Sequence, residues 1–233
     1  MKKGDLKRSS ILETAERLFF EKGYEQTSIQ DILDALSMSK GGFYHHFASK
    51  EAILSEICEN RVVASLAEMK WDLFGGKDSP ISKLNLLLQK VNLFEREDTA
   101  FAALLLKVGY VDGDVRIRDR IRSVVIAQLT PFVTDVIAEG VKSDDFFVRN
   151  PGQLAAVIMG MVADNDDYAC RILARDADSP ECVLEIAERL NTCREAVETL
   201  LSAPFGSVIL FTPSRLVSAY RDAAKELLRL EGK

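Results

Sequence analysis

The chain is predicted to be all-α: an N-terminal three-helix helix-turn-helix head, joined by a long helix to a larger helical body. Three observations predict it. Apolar residues recur at helical spacing from Ile11 onward. Ser, Thr or Pro opens most of these stretches, and glycine or proline closes them. Only SVILF at 207–211 suits a strand, and nothing else in the sequence would pair with it.

The first helix is expected over 6–22, with Ile11, Leu12, Ala15, Leu18 and Phe19 on one face and Gly23 ending it. Thr27 then caps a second helix, with Gln30 reaching back as in a capping box. Ile29, Ile32, Leu33 and Leu36 are its inward stripe. After Ser37-Met38 a third helix spans 39–47 and turns Phe43 and Phe47 inward. Ser49 caps a long helix that ends at Gly75-Gly76; its early residues Ile53, Leu54 and Ile57 pack on the head. The body follows as helices over 80–96, 99–108, 114–140 (kinked at Pro131), 151–175, 181–201 and 213–230. That makes about ten helices and no sheet.

The outer face of the third helix offers Ser39, Lys40, Gly41, Gly42, Tyr44 and His45. Two glycines permit close backbone approach, and the rest donate hydrogen bonds to phosphates or base edges. Thr27 and Ser28 open a helix that would abut the DNA backbone, and Lys50 lies at a helix N-terminus that favours an anion. These are the candidate DNA contacts.

Residues 10–57 resemble the DNA-binding domain of the TetR family of bacterial transcriptional regulators. The matching pieces are ILETAERLFFEKGYEQTSIQDIL, SKGGFYHHF and SKEAIL, in that order and spacing. Ser37 stands where the family usually has a turn glycine, and Gly42 where threonine is common. A positive φ at Ser37 would cost some backbone strain. The family uses the tyrosine matching Tyr44 on a phosphate, and its long fourth helix links head to body. AEGVKSDDFFVRNPGQLAAVIMGMV resembles, more weakly, the family's turn between a pocket helix and a dimerisation helix.

Composition is compatible with this. Among residues 1–50, eight Lys/Arg face seven Asp/Glu, a balance of +1, so the other 183 residues carry −7 of the net −6. A near-neutral head on an acidic body binds DNA if its cations converge, and Lys2, Lys3, Lys7 and Arg8 are placed to form a basic arm. No uninterrupted apolar run reaches the roughly 20 residues of a membrane span, and charges follow the basic N-terminus too soon for a secretory signal. A cytoplasmic protein with no membrane partner is expected. Cys58, Cys170, Cys182 and Cys193 form no C-x-x-C pair, and both histidines fall at 45–46. A histidine metal site or a Ser-His-Asp triad in the body is thereby excluded, and neither cofactor nor metal is expected.

In the body, Trp71, Phe101, Leu105, Tyr110 and Phe132 can line an apolar effector pocket, with Asp164 and Tyr168 as its polar wall. On that reading the effector is an apolar cation, drawn by Asp164, Asp166 and Asp167; an i, i+4 pair of Asp167 with Arg171 is the plain alternative. The expected function is a homodimeric, ligand-responsive regulator, most simply a repressor, on a palindromic double-stranded DNA operator. It divides into a DNA-binding domain at 1–52 and an effector-binding and dimerisation domain at 53–233. The competing reading is an all-α sensor or enzyme with a degenerate head; it needs a catalytic cluster in the body, where the sequence offers only scattered carboxylates and cysteines.

Overall fold

The computed structural model describes residues 3–75, 78–91, 99–111, 115–175, 179–210 and 213–230. Ten α-helices follow in order: α1 (Lys3–Lys22), α2 (Ile29–Leu36), α3 (Lys40–Tyr44), α4 (Lys50–Gly75), α5 (Pro80–Val91), α6 (Thr99–Leu106), α7 (Val115–Lys142), α8 (Pro151–Arg175), α9 (Pro180–Leu201) and α10 (Pro213–Leu230). A π-helical turn, Lys107–Val111, prolongs α6. There is no strand among the described residues. The extended piece at 207–210 is satisfied by side chains instead. Asn85 donates from Nδ2 to the Ser207 carbonyl (2.8 Å) and accepts the Ile209 N–H (2.8 Å), while Glu198 accepts the Val208 N–H (3.0 Å).

The head forms where the sequence pattern places it. Ile11, Ala15, Leu18 and Phe19 of α1 close on Ile32 and Leu33 of α2, on Phe43 and Phe47, and on Ile53, Leu54 and Ile57 of α4, all buried. Phe43 is wholly inaccessible, which is worth about 2–3 kcal/mol of transfer free energy. Helix α2 closes on Ser37, whose φ of 49° is left-handed as the glycine's absence implied. The Met38 N–H reaches the Leu33 carbonyl (2.9 Å) and the Ser37 N–H that of Asp34 (3.2 Å), so the orphan carbonyls of the last turn are met. These bonds offset the cost of a side chain in that conformation.

The cap at the other end of α2 is displaced by one residue from expectation. Ser28 is the N-cap, and its box partner is Asp31, which accepts the Ser28 N–H (2.8 Å) while Asp31 donates its own N–H to Ser28 Oγ (3.1 Å). Both Thr27/Gln30 and Ser28/Asp31 have box spacing. The charged carboxylate near a helix N-terminus wins over a neutral amide.

In the body, α7 packs against α4, α5 and α8, and α8 against α9. The α9 residues Cys182, Ile186, Leu190, Cys193, Val197 and Leu201 form one inward stripe. Helix α7 runs on through Pro131, with the Thr130 and Thr134 hydroxyls each donating to a carbonyl one turn back. By length and composition α7 could cross a membrane; here it buries Val124, Leu129, Val133, Val136 and Ile137 in the body core.

The α7–α8 turn folds Phe146 back over Gly140, whose carbonyl accepts from both Asp145 (2.9 Å) and Phe146 (3.1 Å). A Cβ on Gly140 would stand 2.1 Å from Phe146 Cδ2, a contact no real pair shows. Gly140→Ala should therefore cost about 1–3 kcal/mol in urea unfolding. In a double-mutant cycle with Phe146→Leu, part of that loss should be recovered, because the smaller side chain makes room. Additive losses would show that the two residues do not meet.

Candidate nucleic-acid interface

The head is held together by charged side chains that the sequence offered to DNA. Arg8 donates from Nε to Glu56 (2.7 Å) and from Nη1 to the His46 carbonyl (2.7 Å), with its guanidinium 4.3 Å from the Phe47 ring centre. The Glu56 carboxylate holds the guanidinium above even its usual pKa. Arg8 thus ties α1 to α4 and to the end of α3, and is not part of a basic arm. Lys50 is placed likewise. Its Nζ donates to the Tyr24 carbonyl (2.7 Å) and lies 4.1 Å from the Tyr24 ring centre. Thr27 is fully buried, and its hydroxyl donates to the carbonyls of Gly23 (2.7 Å) and Leu18 (3.1 Å) at the end of α1.

Two of the nine expected contacts, Thr27 and Lys50, are therefore engaged inside the head. Ser28 is exposed, but its hydroxyl donates to Asp31. Asp31 is held well below the usual carboxylate range, first by Lys22 Nζ at 2.6 Å and then by Ser28.

The rest stand on one short helix. Ser39 caps α3 by accepting the Gly42 N–H (3.2 Å), and α3 ends at Tyr44, earlier than the expected 47. Its buried residue is Phe43, so Lys40, Gly41, Tyr44 and His45 are turned outward. Tyr44 stands edge-on to Phe43, with ring centres 5.4 Å apart, and is 54% exposed. Among the described residues the His45 ring meets that of His46, at 5.2 Å. Among the described residues neither Lys40 nor the Tyr44 hydroxyl has an intramolecular partner. A Cβ at Gly41 meets nothing within 4 Å, whereas one at Gly42 would lie 3.3 Å from the capping Ser39 Oγ. The glycine at 42, where the family commonly has threonine, thus leaves the cap unobstructed.

The body holds a cavity of about 90 Å³ behind α6. Ala102, Leu105 and Leu106 of α6 and Gly109-Tyr110 of the π turn form one wall. Arg118, Ile121, Arg122 and Val125 of α7 form the second, and Ala163, Asp166, Asp167 and Cys170 of α8 the third. Asp167 Oδ1 accepts the Tyr110 hydroxyl (2.9 Å) and lies 3.4 Å from Arg118 Nε; Oδ2 meets Arg171 at 2.5 Å. Burial, and then the charges around it, push the Tyr110 hydroxyl far up, so it stays a neutral donor.

Of the residues expected on an effector pocket, Leu105 and Tyr110 line this cavity and four others do not. Phe101 is on the adjoining side of α6, packed on the head with the Arg61 guanidinium 4.0 Å from its ring centre. Phe132 packs against the body core. Asp164 and Tyr168 lie on the outer groove between α8 and α9: Asp164 pairs with Arg189 (2.5 Å), and the Tyr168 hydroxyl donates to Glu185. The reason is the helical repeat. Ala163, Asp167 and Cys170 share one stripe of α8, and Asp164 and Tyr168 share the next. The Trp71 side chain lies outside the described residues. Arg118, Arg122, Asp167 and Cys170 were missing from the expected lining, although the i, i+4 spacing of Arg118 and Arg122 beside Ile121 and Val125 marked a mixed face. Asp167, one of the acids expected to draw a cationic effector, instead makes the i, i+4 pair with Arg171 and lies 3.4 Å from Arg118.

The comparisons with known proteins agree with the head. Residues 11–57 match the model of bacterial regulatory proteins, tetR family. An uncharacterized HTH-type transcriptional regulator of Bacillus subtilis, YerO, is 35% identical over 115 residues, 48% of this chain and 39% of that protein. The HTH-type transcriptional repressor KstR2 of Rhodococcus jostii is 43% identical over 51 residues, 22% of this chain and 25% of its own. The match thus spans well under half the length of these curated relatives. In fold, a TetR-family transcriptional regulator from Pectobacterium atrosepticum superposes with a TM-score of 0.56 at 20% identity, over 88% of this chain and 100% of that one. Residues 11–57 thus match the DNA-binding head of the TetR family of bacterial transcriptional regulators, and the body behind them has the fold of a TetR-family regulator.

Proposed function

We propose that the protein is a homodimeric transcriptional repressor, released from a palindromic operator by a small molecule bound behind α6. The observation that carries this reading is the outer face of α3. Lys40, Tyr44 and His45 are exposed on a helix whose inner residue is fully buried, while neighbouring cations are tied down within the head. A rigid mount with free donors is what reading a groove requires. The DNA contacts are assigned to Ser39, Lys40, Gly41, Gly42, Tyr44 and His45, with Ser28 at the edge of the site. Residues 1–52 form the DNA-binding domain and 53–233 the effector-binding and dimerisation domain. The protein acts in the cytoplasm, and the mechanism contains no catalytic step.

Coupling runs through α6 and α4. One side of α6 carries Phe101 and Leu104 into the head core, and the adjoining side lines the cavity with Ala102 and Leu106, with Leu105 between them touching both. Helix α4 is tied to α7 by Arg120 Nε donating to Ser55 (3.1 Å) and by Gln128 donating to Glu59 (3.1 Å). An effector that shifts α6 or α7 therefore shifts the head, and DNA must disfavour the effector in return. The dimer face is assigned to the outer side of α8 and α9, where Val157, Leu184 and Leu200 are exposed. Two-fold symmetry would then set two heads on two half-sites. KstR2's description as a repressor supports the sign of regulation.

Recovery of bound genomic DNA, then gel retardation on the recovered palindrome, tests the reading; recovery of no preferred fragment would defeat it. On such a fragment Lys40→Ala should weaken binding to cognate and random DNA alike, and flatten the slope of log K against log salt by about one unit. Tyr44→Phe should lower affinity with the slope unchanged. Lys50→Ala is expected to act differently, lowering stability by about 1–2 kcal/mol in urea unfolding through loss of its bond to the Tyr24 carbonyl. If it changed only the salt slope, Lys50 would be a phosphate contact.

Sedimentation should give a dimer at micromolar concentration, and Leu184→Glu with Val157→Glu should shift it to monomer. A monomeric wild type on and off DNA would remove the dimer from the mechanism.

A further inference from the structure

The cavity behind α6 is lined by two arginines, Arg118 and Arg122, and two aspartates, Asp166 and Asp167, and these charges are not evenly paired. Arg118 and Arg171 both lean on Asp167, whose Oδ1 also accepts the Tyr110 hydroxyl. Arg122 follows Arg118 by one turn on α7 and lines the same space, half-buried, with no hydrogen bond or ion pair among the described residues. Arg118 has two carboxylates near it, Asp167 at 3.4 Å and Asp119 at 3.9 Å, and Arg122 has no such partner there. Most of the remaining wall is aliphatic, with Leu105, Leu106, Ile121 and Val125.

We infer that this cavity takes a small apolar carboxylate, its headgroup held by Arg122 and its tail lying among Leu105, Leu106 and Val125. The inference rests on the reading of the cavity as the effector site. A carboxylate entering an aliphatic cavity is costly unless a cation meets it, and Arg122 is the cation left over. Its planar guanidinium offers two parallel N–H groups that match both carboxylate oxygens. An ammonium would face both Arg118 and Arg122, and of the two carboxylates on the wall Asp167 is already paired with Arg118 and Arg171. A neutral alcohol would leave Arg122 without a counter-charge. Size sets a second limit. A cavity of about 150 Å³ accepts a benzene ring, so a space of about 90 Å³ suits a short chain and excludes a long acyl tail.

Isothermal titration of the full-length protein with butyrate, butylammonium and butanol tests it. Butyrate should bind at least about tenfold more tightly than butanol, the worth of one charge-assisted pair, with butylammonium weakest. Arg122→Gln should bring butyrate down to the level of butanol and leave butanol unchanged, while Arg122→Lys should keep part of the preference. The inference is overturned if butanol or butylammonium binds as well as butyrate, if the preference survives Arg122→Gln, or if butyrate does not bind. Ala163→Phe, which fills the cavity, separates this from failure of the underlying reading. If butanol binds without charge preference and Ala163→Phe abolishes it, only the charge inference falls. If Ala163→Phe leaves probe binding unaffected, the effector site itself is elsewhere, and both fall.

Discussion

The short helix α6 constrains the rest of the molecule. After Thr99 it holds no polar side chain, only AFAALLL, so every side of it must be covered. No single layer can do that. The head covers Phe101 and Leu104, and the body core takes Leu106. Helix α10 packs along α6 as well. Each large side chain buried there contributes about 2–3 kcal/mol that detaching the head would forfeit. Head and body are therefore parts of one packed unit, and the orientation of the head depends on how α6 is seated. The cavity lies on the same helix, so filling it acts on an element that cannot move without moving the head.

Polar contacts at this seam set register more than stability. Arg8 reaches Glu56, Arg61 donates from Nε to Glu16 (2.8 Å), and Arg120 reaches Ser55. All are partly exposed, where such pairs are typically worth about 0–1 kcal/mol. Their geometry matters more: the first two join α4 to α1 and the third joins it to α7, each at a fixed turn of the helix. A long helix gripped on the head by Arg8 and Arg61 and on the body by Arg120 and Gln128 transmits a displacement instead of absorbing it. The apolar seam supplies the energy and these bonds choose the position.

What the sequence made legible was what periodicity and local chemistry determine. The inward stripes of α1 and α2 and the start of α8 at Pro151 follow from spacing and chemistry over a few residues, whereas a left-handed Ser37 was suggested only by the glycine that the resembling family has there. The cap of α2 was placed one residue early, because Thr27 and Ser28 both satisfy the same pattern and only the acid at 31 separates them. Lys50 and Arg8 looked like phosphate ligands because their partners, Tyr24 and Glu56, are 26 and 48 residues away in sequence. The pocket failed for a related reason. Asp164 and Asp167 are three residues apart, yet whether each faces α9 or the cavity depends on how α8 is rotated in the body, which no local pattern records.

The engaged cations also change how the head can hold DNA. Arg8, Arg17, Lys22 and Lys50 all have intramolecular partners: Glu56, Glu21, Asp31 and the Tyr24 carbonyl. Among the described residues of the α3 face, Lys40 is then the cation available to a phosphate. The acidic body adds a long-range repulsion, which salt reduces within about 10 Å. With four of the eight cations of residues 1–50 engaged internally, the head has less charge to give to counterion release, the usual source of strong but unselective affinity. More of its affinity must then come from neutral donors placed accurately, namely the Tyr44 hydroxyl, the His45 ring and backbone N–H groups near Gly41. Such donors act only over hydrogen-bond distances, so a displacement of about an ångström at α3 removes most of their effect. The internal clamps that take cations away from the DNA thus serve the same end as the α6 seam. They make binding depend on position, and position is what an occupied cavity would alter.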